Sequence, residues 1–84
     1  MINITEVRIK RINREEFLGY ASICIDNEIV LEGIKLLEGK NGRYILMPIR
    51  KNKNENKAKN YIYPINNETR EQLLNAISEE YDRI

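Results

Sequence analysis

Residue types that commonly carry catalysis are scarce in this chain. Its 84 residues contain no histidine and no tryptophan, and they contain one cysteine. A single cysteine excludes an internal disulfide, and the lack of histidine removes both the commonest general base and the commonest zinc ligand. We therefore expect a protein that is not an enzyme and that has no catalytic residue, no metal site, no cofactor and no small-molecule substrate.

Long apolar runs are also missing, and the chain is short. No apolar stretch approaches the roughly 20 residues that cross a bilayer, which predicts a cytoplasmic protein without a membrane segment. Residues 1–84 form one domain in this interpretation, but a domain of this length buries only about 60 to 65% of the surface that its unfolded chain exposes. Because disulfide and metal are excluded as sources of extra stability, we expect self-association into a homodimer.

The apolar pattern of the first half predicts an antiparallel sheet. In residues 4–10, apolar side chains alternate with basic ones, which is the period of a strand with one wet face. In the next run, strict alternation places Phe17 on one face and Leu18 with Tyr20 on the other. The predicted strands cover residues 4–10, 17–25, 29–31, 34–39 and 44–47.

The last part of the chain predicts one amphipathic helix. Its apolar stripe, at a spacing of about 3.6 residues, consists of Leu73, Leu74, Ile77, Tyr81 and Ile84. Asn66 or Asn67 provides an N-cap, and the helix is expected over residues 68–81. Strands followed by a helix indicate an α+β fold, an antiparallel β-sheet of hairpins followed by one C-terminal amphipathic helix.

Charge is unevenly distributed along the chain. The whole chain has a net charge of +1, yet residues 50–59 hold five basic residues and one acidic residue. The basic residues of this stretch are Arg50, Lys51, Lys53, Lys57 and Lys59. Strand-like segments that end in proline, 43–48 and 61–64, flank the stretch, so we expect a hairpin whose tip is a mobile loop. Two interpretations remain open: an ordinary solvated tip, or a cationic loop that attracts the phosphates of a nucleic acid.

Arg70 is the most informative single residue. It falls in the first turn of the predicted helix, where a cation opposes the helix dipole by about 0.3 to 1 kcal/mol. A compensating interaction is therefore expected. One candidate is a salt bridge to Glu6, Glu28 or Glu32; the other is a contact to a phosphate or a base edge of a nucleic acid.

Two further sets of side chains have both a functional and a structural interpretation. A second basic cluster, without an acidic residue, consists of Arg8, Lys10, Arg11 and Arg14. It either attracts phosphates or keeps an edge strand from aggregating. The tyrosines near the basic stretch are Tyr44, Tyr61 and Tyr63. They either stack on single-stranded bases or pack across neighbouring strands.

Several short segments match one bacterial family in order along the chain. They are residues 7–13, 21–23, 26–28, 39–42, 47–48 and 64–70, and the last reads Pro-Ile-Asn-Asn-Glu-Thr-Arg. On these segments the whole chain resembles the stage V sporulation protein G (SpoVG) family, the septation regulators of bacteria.

The resemblance implies a small homodimeric α+β protein that binds DNA, and in several members RNA, and that regulates gene expression, septation and sporulation. It also implies nucleic-acid contact at the start of the helix, which corresponds here to Thr69 and Arg70. The chain departs from the family pattern at Gln72, where a second basic residue is common, and at Tyr63, where histidine is common. The alternative is a protein-interaction module of the cell-division machinery that does not bind nucleic acid.

Overall fold

The computed structural model describes residues 1–52, 57–60 and 62–84, and it describes only the backbone of residues 49–52 and 57–60. The predicted α+β fold class is confirmed. A four-stranded antiparallel sheet with the order β1-β2-β3-β4 is followed by a two-stranded sheet, β5-β6, and by one helix. The elements are β1 (Ile4–Arg14), β2 (Phe17–Ile25), β3 (Ile29–Gly39), β4 (Gly42–Leu46), β5 (Ile49–Asn52), β6 (Lys57–Asn60) and α1 (Asn67–Arg83).

Consecutive strands of the main sheet are joined as hairpins. At the turn between β2 and β3, Asp26 and Asn27 each have a φ of 55°, a left-handed conformation that short polar side chains tolerate. β3 is one strand that joins the predicted segments 29–31 and 34–39, and it continues through Gly33 with a φ of 79°. The pairing of β3 with β2 shifts opposite this glycine, between Ala21 and Ile23.

The core lies between one face of the main sheet and α1. It consists of Leu18, Ala21, Ile23, Leu31, Ile34, Leu36, Ile45, Met47, Leu73 and Ile77. The helix supplies Leu73 and Ile77, two members of the predicted apolar stripe. Asn66 is the N-cap, since its side chain accepts a hydrogen bond from the Thr69 N–H at 2.8 Å. We call the sheet face that points away from α1 the open face.

A β-bulge in β2 places Phe17 and Leu18 on the opposite faces from those predicted. Phe17 pairs with Leu37 but Gly19 pairs with Leu36, so β2 has one extra residue at this point. Leu18 therefore turns into the core, where it is 8% exposed, while Phe17 turns to the open face. Strict alternation predicted the reverse for both residues, because a bulge changes the phase of the pattern without an apolar signal of its own.

A hairpin is formed at the basic stretch, but its arms are residues 49–52 and 57–60, which lie largely inside the stretch that was expected to be a mobile loop. The stretch pairs with itself, from Ile49 with Asn60 to Asn52 with Lys57, whereas β4 pairs with β3. We call β5 and β6 the basic hairpin. Pro48 separates it from the main sheet because proline has no N–H to donate to a ladder. The tip, with Lys53, lies outside the described residues.

Candidate functional site

The start of α1 presents Arg70 to solvent. Arg70 is the fourth residue of the helix, and its N–H donates to the Asn66 carbonyl at 3.3 Å. The predicted salt bridge to Glu6, Glu28 or Glu32 is not formed among the described residues, and Glu6 instead pairs with Arg8 at 3.0 Å. The first turn has one acidic residue, Glu68. The side chain of Arg70 is thus available to a ligand.

Arg70 lines a cleft of about 430 Å³ between the start of α1 and the end of β4. The described lining residues are Gly33, Lys35, Ile45, Leu46, Met47, Pro48 and Arg70. Two of them are cations and none is a carboxylate, so this cleft attracts anions. Pro48 directly precedes Ile49, where the basic hairpin begins, so the cleft lies at the base of that hairpin.

Lys35 is a cleft residue that sequence reasoning missed. Its neighbours Ile34 and Leu36 are both fully buried, which turns Lys35 to the opposite face of β3. Its position beside Arg70 depends on the pairing of Lys35 with Leu46 of β4 and on the bend at Gly33. Alternation in the sequence indicates the face of Lys35, but only the tertiary arrangement brings it to the helix start.

The remaining predicted site residues are divided between two places. Arg50 and Lys51 lie in β5, Lys57 and Lys59 lie in β6, and the backbone register places Arg50 opposite Lys59. Thr69 follows the N-cap, is half-buried and does not line the cleft. The structure therefore brings Arg70 together with Lys35 and the base of the hairpin, and it leaves Thr69 with a capping hydrogen bond.

The second basic cluster divides between the two faces of the sheet. Arg8 and Lys10 belong to the open face, since they alternate with the half-buried Val7 and Ile9. Arg11 lies on the helix side, where it donates to the Tyr81 carbonyl and its guanidinium stands 4.3 Å from the centre of the Tyr81 ring. Arg14 pairs with Phe17 of the open face, so three of the four cations share that face and Arg11 does not.

Arg43 of β4 reaches the same helical turn. Its guanidinium donates to both carboxylate oxygens of Asp82, at 2.8 and 3.0 Å, and to Ser78 Oγ at 2.6 Å. It also stands 5.0 Å from the centre of the Tyr81 ring. The hydrogen bonds from Arg43 lower the pKa of Asp82, and those to Asp82 raise the pKa of Arg43. These contacts hold α1 on the sheet.

The tyrosines near the basic hairpin occupy different environments. Tyr44 is 40% exposed on the open face, opposite Leu37, and Tyr63 is 56% exposed before α1. Tyr61 lies outside the described residues.

Within the described ranges, no group of three or more acidic, cysteine or histidine side chains is arranged to hold a metal ion.

An antiparallel sheet covered by one helix, with a cationic cleft at the helix start, defines a small α+β protein with an anion-attracting surface. The chain belongs to the SpoVG family, whose family model matches residues 2–83. In the part of the chain that the structure describes, no helix combines the length and the apolar character needed to traverse a membrane.

Relatives of known name cover nearly the whole chain. A protein of Clostridium perfringens is 42% identical over 84 residues, which is 99% of this chain and 92% of the relative. One from Caldanaerobacter subterraneus is 42% identical over 83 residues, covering 98% of this chain and 90% of the relative. One from Thermoanaerobacter pseudethanolicus is 41% identical over 83 residues, covering 98% and 89%. All three bear the name "Putative septation protein SpoVG".

Proposed function

We propose that this protein is a small homodimeric regulator that binds nucleic acid, DNA or RNA, in the cytoplasm and thereby affects gene expression and septation. The observation that carries the proposal is the cleft at the start of α1, which both Arg70 and Lys35 line and no described carboxylate does. The septation role is taken from the names of the relatives. The alternative, a division-machinery module that does not bind nucleic acid, is an outcome of the experiment below.

Phosphate chemistry fits the residues of the cleft. An arginine fork can donate two hydrogen bonds to one phosphate, and a lysine adds a point charge beside it. The N-terminal end of α1 carries a partial positive charge, so a phosphate there would also remove the unfavourable interaction between Arg70 and the helix dipole. A phosphate is thus the compensating partner that Arg70 lacks within the described chain.

The basic hairpin adds a second, less selective attraction. Its register places Arg50 opposite Lys59, and like charges in directly opposed positions destabilise a pair of strands. A polyanion would relieve that repulsion. Because neutralised phosphates release their counterions, such binding weakens steeply as salt is added.

A free sheet edge supports the homodimer. Within the described residues β1 pairs with β2 alone, so its other edge can pair with a second copy. In a two-fold register that places Val7 opposite Val7 of the second copy, Glu6 falls opposite Arg8 of that copy, and Arg8 falls opposite Glu6. Opposite charges thus meet twice, as a symmetric interface requires.

A groove beside that edge has an unsatisfied acceptor. Gln72 Nε2 donates to the Ile2 carbonyl at 2.6 Å, while Gln72 Oε1 is enclosed and has no hydrogen-bond partner among the described residues. The groove of about 740 Å³ runs between β1 and α1. A buried acceptor without a partner costs about 1 to 3 kcal/mol.

Replacement of Arg70 tests the nucleic-acid proposal. We expect Arg70→Ala to weaken binding of a short duplex and of a single strand, and to reduce the slope of log affinity against log salt by about one. Thermal stability should not fall, because Arg70 makes no salt bridge within the described chain. Gel shifts across a salt series measure the binding, and circular dichroism measures the melting temperature.

Lys40→Ala is the control, since it removes an exposed cation at the turn between β3 and β4 that does not line the cleft. An equal loss of affinity in Lys40→Ala would contradict a specific role for the cleft. Wild-type protein that binds neither DNA nor RNA at low salt would overturn the proposed function and leave the protein-interaction alternative.

A further inference from the structure

We infer that the open face of the main sheet binds unpaired bases of a single-stranded nucleic acid, with Tyr20 as the stacking ring. The inference rests on the proposed function and names the form of nucleic acid that the site takes. It goes beyond the helix start, because it assigns a binding role to side chains on the opposite side of the sheet from α1.

One row of directly opposed residues crosses the open face. Lys10 of β1 is opposite Tyr20 of β2, and Tyr20 is opposite Lys35 of β3. Leu46 completes the row on β4. Because directly opposed side chains have Cβ atoms about 4.5 to 5.5 Å apart, a base stacked on Tyr20 would lie between two ammonium groups. The row thus offers one flat apolar surface with a phosphate partner on each side.

The ring of Tyr20 is both accessible and supported. It is 40% exposed, and the ring of Phe17 meets it edge to face, with centroids 5.0 Å apart and planes at 89°. The bulge at Leu18 brings Phe17 to this face, since two residues three positions apart would otherwise point to opposite faces. A supported ring loses less conformational freedom on binding than a mobile one, which favours affinity.

The carboxylates of the open face lie outside the row around Tyr20. The described ones, Glu6 and Glu32, lie in the adjoining part of the face around Ser22 and Cys24, and Glu6 is paired with Arg8. Lys10 and Lys35 form no ion pair within the described chain. The row around Tyr20 is therefore cationic, which matches a polyanion.

The row is continuous with the cleft at the start of α1. Lys35 and Leu46 belong to both, because the cleft that contains Arg70 opens beside the end of β4. A strand whose phosphate is held by Arg70 can thus extend over Leu46 towards Tyr20. A duplex cannot use this path, because it presents base edges in its grooves and keeps its base faces stacked inside.

A second copy of the chain is a poorer occupant of this face. Two copies placed face to face with their Tyr20 rows in register would bury Lys10 and Lys35 without a carboxylate in the row to pair them. Burial of unpaired charge is costly, whereas the free edge of β1 offers paired opposite charges. The open face and the proposed dimer edge are therefore assigned to different occupants.

The test compares two changes at Tyr20 on three probes of equal phosphate number. The probes are oligothymidylate, an abasic strand and a duplex, each measured by fluorescence anisotropy. We expect Tyr20→Leu to weaken oligothymidylate binding about ten-fold, in line with the loss of one stacked base, and to leave the abasic strand and the duplex unchanged. Tyr20→Phe keeps the ring and should bind as the wild type does. Val30→Ala, at the acidic end of the same face, is the control.

Each outcome decides the inference. Unchanged oligothymidylate binding in Tyr20→Leu, or an equal loss on the abasic strand, would overturn stacking while the proposed function stands, provided that Arg70→Ala still weakens binding. A dimer that dissociates in Tyr20→Leu, seen by sedimentation, would assign the face to a second copy. Wild-type protein that binds no probe would overturn the inference together with the proposed function. A circular dichroism melt confirms that Tyr20→Leu is folded.

Discussion

At the scale of single residues, arginines of this chain serve two different purposes. Arg11 and Arg43 contact the last turns of α1, and both guanidinium groups stand within 5.0 Å of the Tyr81 ring centre. Arg70 has no such contact. Composition cannot separate a structural arginine from one that is available to a ligand, because the difference lies in which element each side chain can reach.

Arg43 is the arginine whose removal should cost the most stability. Arg43→Ala deletes the contact with Tyr81 and the hydrogen bonds to Ser78 and Asp82, which we expect to lower the free energy of unfolding by about 1 kcal/mol. The estimate is modest because Asp82 is 62% exposed and solvent screens the ion pair. Urea denaturation measures the change. Arg70→Ala, which removes an exposed arginine without a salt bridge in the described chain, is the control and should show no measurable loss.

The same pair gives a pH dependence with a defined sign. Because Arg43 lowers the pKa of Asp82 below its ordinary 3.8, the unfolded chain binds more protons at this carboxyl than the folded one. The contribution of Asp82 to stability is thus present above pH 3.8 and is lost as the pH falls below that value. The melting temperatures of wild type and Asp82→Asn should therefore converge in acid. A difference in melting temperature that stays the same at low pH would contradict a stabilising ion pair between Arg43 and Asp82.

At the scale of elements, the bulge in β2 decides which side chains the open face presents. A Cβ built on Gly19 would lie 2.3 Å from the Lys10 carbonyl oxygen, so β1 approaches β2 more closely than any side chain allows. Glycine at this position permits the close approach of β1, next to a register shift of β1 against β2 between Arg11 and Arg14.

Replacement of Gly19 should destabilise the sheet. We expect Gly19→Ala to lower the free energy of unfolding by about 1 to 3 kcal/mol, because the backbone of β1 would have to move. Gly39→Ala is the matched control: its new Cβ would meet the flexible ring of Tyr44 at 3.2 Å, so a smaller loss is expected. Urea denaturation compares the two. If Gly19→Ala and the wild type were equally stable, β1 would be able to move away from the new methyl group without a cost in free energy.

Elements were more predictable from the sequence than the site was. The strand over residues 17–25 and the cap at Asn66 are local, because alternation and turn chemistry involve near neighbours, and both were predicted. The cleft that Lys35 and Arg70 both line joins residues far apart in the chain, so no local pattern contains it. The predicted faces of Phe17 and Leu18 were wrong because alternation does not contain the bulge between β2 and β3.

At the scale of the whole molecule, a charge exchange tests the proposed dimer edge. Glu6→Arg would place arginines opposite each other in the two-fold register and should shift the sedimentation of the protein from dimer to monomer. The double variant with Arg8→Glu restores opposite charges and should restore the dimer. Both residues are exposed in the single chain, so the fold itself should persist. Full dimerisation of Glu6→Arg would exclude this edge as the interface.

The position of α1 after all the strands also has a consequence for the newly synthesised chain. Ile23, Ile34 and Leu36 are fully buried under a helix whose 17 residues are made last among the described elements. At a synthesis rate of about 5 to 20 residues per second, the helix takes roughly 1 to 3 s to make. During that interval the apolar face of the sheet has no cover. The nascent chain is thus most exposed to aggregation just before its helix emerges from the ribosome.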